Sequence, residues 1–161
     1  MGSAERLGEV LRERGLTIST AESCTGGGLA ACITSVPGSS DYFLGSVVAY
    51  QNAVKVRLLG VPEGILETHG AVSRETADAM ATGCRRVFQS DLAVGITGIA
   101  GPEGGSDEKP VGLVYVAVAD RRATRIERLR LDGNREEVRL AAIDAALDLI
   151  LSVLIGRRVS E

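Results

Sequence analysis

The chain has 161 residues, 45% hydrophobic and 24% charged, which suits a globular domain with one core. Its net charge is −3, aromatics make up 3%, and there is no Trp. A nucleic-acid partner is therefore not expected, because the basic footprint and the stacking rings are missing. No apolar run reaches the about 18 residues of a membrane span, so no membrane partner is expected either.

Cys24, Cys32 and Cys84 are odd in number and lack CxxC spacing. That pattern argues against a disulfide framework or a zinc site and for a reducing compartment. The opening MGSAERLGEV is charged and amphipathic, without a signal-like apolar region. The expected location is cytoplasmic.

In chain order, residues 4–14 predict a helix with Leu7, Val10 and Leu11 on one face, stopped by Gly15. A β-prone run over 16–21 follows, then a glycine-bearing helix over 24–35 and a turn at 37–40. A strand over 43–50 leads to a short helix over 51–59, which Gly60 and Pro62 end. Ser73 caps a longer helix to residue 89, and 92–97 is an apolar strand. Residues 98–110 form a glycine-rich loop, and strands over 111–119 and 124–131 flank a polar turn, as a hairpin. Asn134 with Glu137 has capping-box spacing for a last helix to about residue 155. Its apolar side is read as Leu140, Ile143, Leu147, Ile150 and Leu154.

This alternation predicts an α/β fold. The expected architecture is a three-layer α/β/α sandwich on a mostly parallel, mixed sheet of about five strands. Residues 1–161 read as a single domain, with no internal repeat or linker. Ligands bind beyond the carboxyl ends of strands in such sheets. Three polar clusters fall there: residues 21–28, Tyr50-Gln51-Asn52 with Lys55, and Thr97 with the loop 98–105.

Ser23 sits at a strand-to-helix turn, where a nucleophile's hydroxyl is exposed and backbone amides can meet an oxyanion or phosphate. Ser23 or Thr25 also suits an N-cap of the next helix, with Gly26 to Gly28 making room for helix packing. A serine nucleophile needs a base. The lone His69 lies in a proline-broken, glycine-flanked segment and suits a surface or capping role better. The chain has two lysines, Lys55 and Lys109, against sixteen arginines. Lysine, unlike arginine, gives up its proton when desolvated. Lys55 follows Tyr50 by five residues and is long enough to reach back to Ser23, though a solvated helix lysine is the other reading. Tyr50 suits orienting such a pair, stacking on a ring or simply closing the strand. Ser40 precedes a strand about 23 Å long, so it is ranked below Ser23 unless a partner subunit or a bent segment brings it in.

Thr97 ends its strand with a hydroxyl, and Gly98, Gly101 and Gly104 suit a backbone cradle for phosphate or ribose. The P-loop pattern is absent. Arg135 and Arg139 share one face at the start of the last helix, where either suits a phosphate or a surface ion pair.

AESCTGG at 21–27, GSS at 38–40, Tyr-x-Asn-x-x-Lys at 50–55, HGAVS at 69–73 and GIAGPEGGSDEKPVG at 98–112 occur in order with compatible spacing. Together they resemble the CinA C-terminal domain family, the PncC-like nicotinamide mononucleotide deamidases, from about residue 5 to 155. The resemblance implies an α/β/α fold, often dimeric. It implies hydrolysis of a pyridine mononucleotide's carboxamide by a serine–lysine dyad, with no metal or other cofactor. Ser23, Lys55 and Tyr50 match the motif serine, lysine and tyrosine, and Thr97 stands where a Ser or Thr is expected. The substrate-binding set is read as Thr25, Gly26, Gly27, Ser40, Thr97, Gly98, Gly101, Gly104, Arg135 and Arg139. Gln51 departs from the Ser or Thr often found there, so it receives no hydroxyl role. Longer members carry an N-terminal molybdopterin-biosynthesis-like domain, whose activity is not expected of these residues. The rival expectation is a nucleotide-binding module without turnover, which needs glycine loops and hydroxyls but not both Ser23 and Lys55.

Overall fold

The computed structural model describes residues 2–156. Helix α1 (Ser3–Arg14) ends at Gly15, whose φ of 60° places it in the left-handed region that stops a helix. Strand β1 (Ile18–Glu22) leads through a turn to α2 (Gly28–Thr34). That helix starts four residues later than its apolar pattern predicts, because Gly26 and Gly27 take φ of 59° and 91° and form a turn first. A 3-10 turn (Ser39–Asp41) precedes β2 (Phe43–Val48), and α3 (Asn52–Leu59) follows.

Helix α4 (Glu63–His69) occupies the segment that Gly60 and Pro62 led one to expect as irregular. Helix α5 (Arg74–Phe88) begins at Ser73, whose Oγ accepts from the Thr76 amide at 3.1 Å, as expected of an N-cap. Strand β3 (Leu92–Gly98) is followed by the loop, the β4 (Leu113–Ala119) and β5 (Thr124–Arg130) hairpin, and α6 (Arg135–Gly156). The capping box at its start is formed. The Asn134 amide donates to Glu137 Oε2 at 2.7 Å and the Glu137 amide to Asn134 Oδ1 at 3.0 Å.

The sheet order is β2-β1-β3-β4-β5. The first three strands are parallel, and β4 and β5 are antiparallel to their inner neighbours. The expected mixed, mostly parallel α/β/α sandwich is thus the observed fold.

Period-2 alternation gives the two sheet faces different chemistry. Ile18, Leu92, Val94, Ile96, Val114 and Val116 face α1, α2 and α6 in the larger apolar cluster. The opposite face presents Ala21, Ala93, Gly95, Ala117 and Ala119 to α5. These small residues let α5 approach closely: a Cβ on Gly95 would lie 2.4 Å from the Ala77 carbonyl oxygen. On α6, Ile143, Leu147, Ile150 and Leu154 are buried as expected, but Leu140 is 56% exposed, since it falls outside the narrow stripe that meets the sheet. Among the described residues no helix is long and apolar enough to cross a membrane.

Candidate active site

The parallel strands end together, and the three polar clusters meet there as expected. Ser23, Cys24, Tyr50, Asn52, Lys55, Ala71, Val72, Thr97, Gly98, Ala100 and Arg135 line one cleft of about 200 Å³.

The placement of Ser23 follows from β1. Its amide donates to the Ile96 carbonyl at 3.1 Å, so the backbone stays paired one residue beyond the strand. Alternation sends Glu22 toward α2 and Ser23 to the other face, where α3 lies. Lys55 is one turn into α3 and points back. Its Nζ donates to Ser23 Oγ at 3.2 Å and to the Tyr50 carbonyl at 2.9 Å.

Lys55 is 1% exposed and Ser23 8%. Burial lowers the lysine pKa below its ordinary 10.5, with the neighbouring Cys24 side chain opposing the shift. Burial in turn pushes the Cys24 thiol up to about 11, so it supplies no anion near neutral pH to keep the ammonium charged. The pair thus brings a serine hydroxyl within hydrogen-bond reach of an amine whose charged form burial disfavours.

Thr97 is buried at the end of β3, and its Oγ1 donates to the Ala71 carbonyl at 2.6 Å, tying the 71–72 segment over the cleft. Arg135 straps the rim: Nη1 donates to the Gly101 carbonyl at 2.7 Å and Nη2 to the Tyr50 hydroxyl at 3.1 Å. Tyr50 contributes its carbonyl to Lys55 and its ring to the rim, where it is 58% exposed.

Other expected residues fall elsewhere. Thr25 is fully buried, with its hydroxyl on Glu22 Oε1 at 2.6 Å rather than in the cleft. Gly26 and Gly27 shape the turn and do not line the cleft. Arg139 donates to the Cys24 and Thr25 carbonyls, each at 3.2 Å, so it braces the turn behind Ser23. Gly98 lines the cleft and Gly101 meets Arg135, while Gly104 is exposed in the loop and does not line it. Ser40 is exposed at the opposite end of β2, so within one chain it does not join the cleft. His69 Nδ1 lies 3.7 Å from Glu75 Oε2 on the surface, and Lys109 Nζ donates to the His69 carbonyl.

Sequence reasoning assigned no role to Cys24, Asn52 or Val72 in the lining, or to Glu22 behind the turn. For Asn52 the Tyr-x-Asn-x-x-Lys spacing was the available signal. For Glu22 it was an acid at the end of a buried strand.

Fold and site together define an α/β/α-sandwich protein with a buried serine–lysine pair at the carboxyl edge of its parallel strands. The sequence profile of the CinA C-terminal domain matches residues 2–154, and the chain belongs to that family. A CinA-like protein of Geobacter sp. strain M21 is 51% identical over 156 residues, which are 97% of this chain and 38% of that protein. The chain spans a little over a third of the length of the curated relatives it matches, 36% and 38% in two of them. Among solved structures, the competence/damage inducible protein CihA of Agrobacterium tumefaciens is 42% identical with a TM-score of 0.88, covering 94% of this chain and 96% of that one. A CinA superfamily protein of Klebsiella pneumoniae is 33% identical with a TM-score of 0.92, covering 97% and 99%.

Proposed function

We propose that this chain is an amidohydrolase that converts the carboxamide of nicotinamide mononucleotide to a carboxylate and ammonia. The observation that carries this reading is the buried Lys55 amine, 3.2 Å from Ser23 Oγ and depressed in pKa by burial.

In the proposed reaction neutral Lys55 takes the proton of Ser23 as Oγ attacks the carboxamide carbon. The amides of Ser23, Gly26 and Gly28 already bond to the carbonyls of Ile96, Ser23 and Thr25. The Cys24 amide faces its own thiol, and that of Thr25 is the candidate donor to the oxyanion. The Lys55 ammonium then returns its proton to the leaving nitrogen, ammonia departs, and water activated by the same amine cleaves the acyl-serine. Arg135, which lines the cleft, suits the substrate phosphate better than Arg139, which lies outside the lining on the Cys24 and Thr25 carbonyls.

Ammonia release from the nucleotide by purified wild type and by Ser23→Ala, without added metal, tests the reading. Release by wild type and none by the variant is the expected result. No release from folded wild type, with nucleotide binding that survives both Ser23→Ala and Lys55→Ala, would favour a binding module without turnover. Arg135→Gln is expected to raise KM for the nucleotide about tenfold or more, the cost of one charge-assisted pair, and to change kcat less. Steady-state kinetics against the nucleotide and its phosphate-free riboside separates the two effects. An equal KM penalty on both substrates would remove the phosphate from this assignment.

A further inference from the structure

Helix α2 begins behind the nucleophile turn without a cap of its own. Its N-cap is Gly27, which has no side chain to accept the first amides. The acceptor comes instead from β1. The fully buried Glu22 carboxylate takes the Leu29 amide on Oε1 and the Ala30 amide on Oε2, each at 2.9 Å, and the Thr25 hydroxyl on Oε1 at 2.6 Å.

One carboxylate thus ties both ends of the segment that runs from Ser23 to the first turn of α2. The main chain at Glu22 is fixed as well, since its carbonyl accepts the Ala49 amide at 2.8 Å and the next amide reaches Ile96. From the far side Arg139 holds the Cys24 and Thr25 carbonyls. A trans peptide directs its N–H opposite to its C=O, so the Thr25 amide points away from Arg139.

We infer that Glu22 is a positioning residue for the reaction: it sets the 23–28 turn so that Ser23 Oγ meets Lys55 and the Thr25 amide is oriented before substrate arrives. The inference rests on the reading of Ser23 as nucleophile. A glutamine cannot replace Glu22. Three donors converge on the two carboxylate oxygens, and the amide NH₂ of glutamine would face an N–H in either orientation.

The test compares wild type, Glu22→Gln, Thr25→Val and Leu7→Ala, the last a buried core residue of α1 outside the turn and the cleft lining that controls for lost stability. Each is measured for kcat and KM with the nucleotide, for thermal unfolding, and for the rate at which a fluorophosphonate labels Ser23, read by intact mass. Glu22→Gln is expected to lower kcat and labelling together by about 10²-fold, the cost of an ångström-scale misplacement, with KM little changed. Thr25→Val is expected to lower both by less, and Leu7→Ala to lower the melting temperature alone. Should Glu22→Gln fail to fold, Thr25→Val carries the same comparison.

Folded variants with wild-type kcat and labelling would overturn the inference, leaving Glu22 a helix cap and nothing more. Wild type that labels but releases no ammonia would fail the proposed substrate, and the labelling rates would still decide the role of Glu22. Wild type that does neither would overturn both.

Discussion

A Lys55→Met variant is expected to lose turnover by about 10³-fold or more while keeping its fold, and the Ser23→Ala, Lys55→Met double variant to lose no more than either single change. In the proposed reaction the two groups act as one unit, so removing either would leave only what binding and the turn amide supply. Methionine keeps the apolar stem that α3 packs with and removes the amine. In wild type, kcat/KM should rise with pH through an inflection below 10.5, because burial lowers the lysine pKa and the neutral amine is the base. A flat profile, or one falling through that range, would exclude Lys55 as the base.

The same group makes a stability prediction with a definite sign. In the unfolded chain Lys55 titrates at its ordinary 10.5, and in the folded chain below it. Between the two values the unfolded state binds more protons, so this lysine's contribution to stability rises with pH across that window. Below the folded-state pKa the cost of the buried ammonium is present in full, and above 10.5 it is gone. The stability of Lys55→Met minus that of wild type should therefore fall as pH rises through the window. Urea unfolding at several pH values measures it, and a difference that grows with pH would show that the lysine is not desolvated.

Gly83→Ala, at the single glycine of α5, is expected to be strongly damaging. Alanine ordinarily favours a helix interior over glycine by about 1 kcal/mol. Here the added Cβ would stand 1.9 Å from the Leu59 carbonyl oxygen and 2.9 Å from its carbon, a backbone overlap that no rotamer relieves. Overpacking of that kind costs about 3 kcal/mol. Leu59 is the last residue of α3, so relief of the clash displaces the helix that carries Lys55. Stability and turnover should fall together, with a lower denaturant midpoint and an unchanged m-value. Gly64→Ala on α4 is the contrast: nothing lies within 4 Å of its Cβ, and it should leave turnover intact and stabilise slightly. Wild-type stability in Gly83→Ala would mean that α3 and α5 are not packed as described.

What was legible in the sequence follows from how local the signals are. The Ser73 cap, the Asn134–Glu137 box and the hairpin are fixed by residues within a few positions of each other. The proximity of Ser23 and Lys55 was legible in part: the strand-to-helix turn and the reach of Lys55 allowed it, a solvated lysine was the other reading, and the motif resemblance favoured the pair. Helix α4 was not, since seven residues with Ile65 and Leu66 as their apolar pair carry no clear period. The late start of α2 was hidden because a helix pattern ignores that two consecutive glycines can both take positive φ.

The roles of Thr25, Glu22 and Arg139 depend on contacts across the turn and across 114 or 115 positions of sequence, which spacing does not encode. The two arginines of α6, expected to be alternatives for one task, are separated by a single helical turn into different ones. Arg135 reaches the rim and Arg139 reaches beneath the turn.

The burial of Lys55 also governs how the protein meets amine-directed reagents. Of the chain's two lysines, Lys109 lies on the surface loop and Lys55 is 1% exposed at the bottom of the cleft. An acylating reagent that is too bulky for the cleft will mark Lys109 and spare Lys55. A small one reaches Lys55 only through the mouth of the cleft, where burial disfavours the charged form of the amine. The extent of Lys55 acylation, followed by peptide mass, is thus a built-in gauge of whether the cleft is occupied.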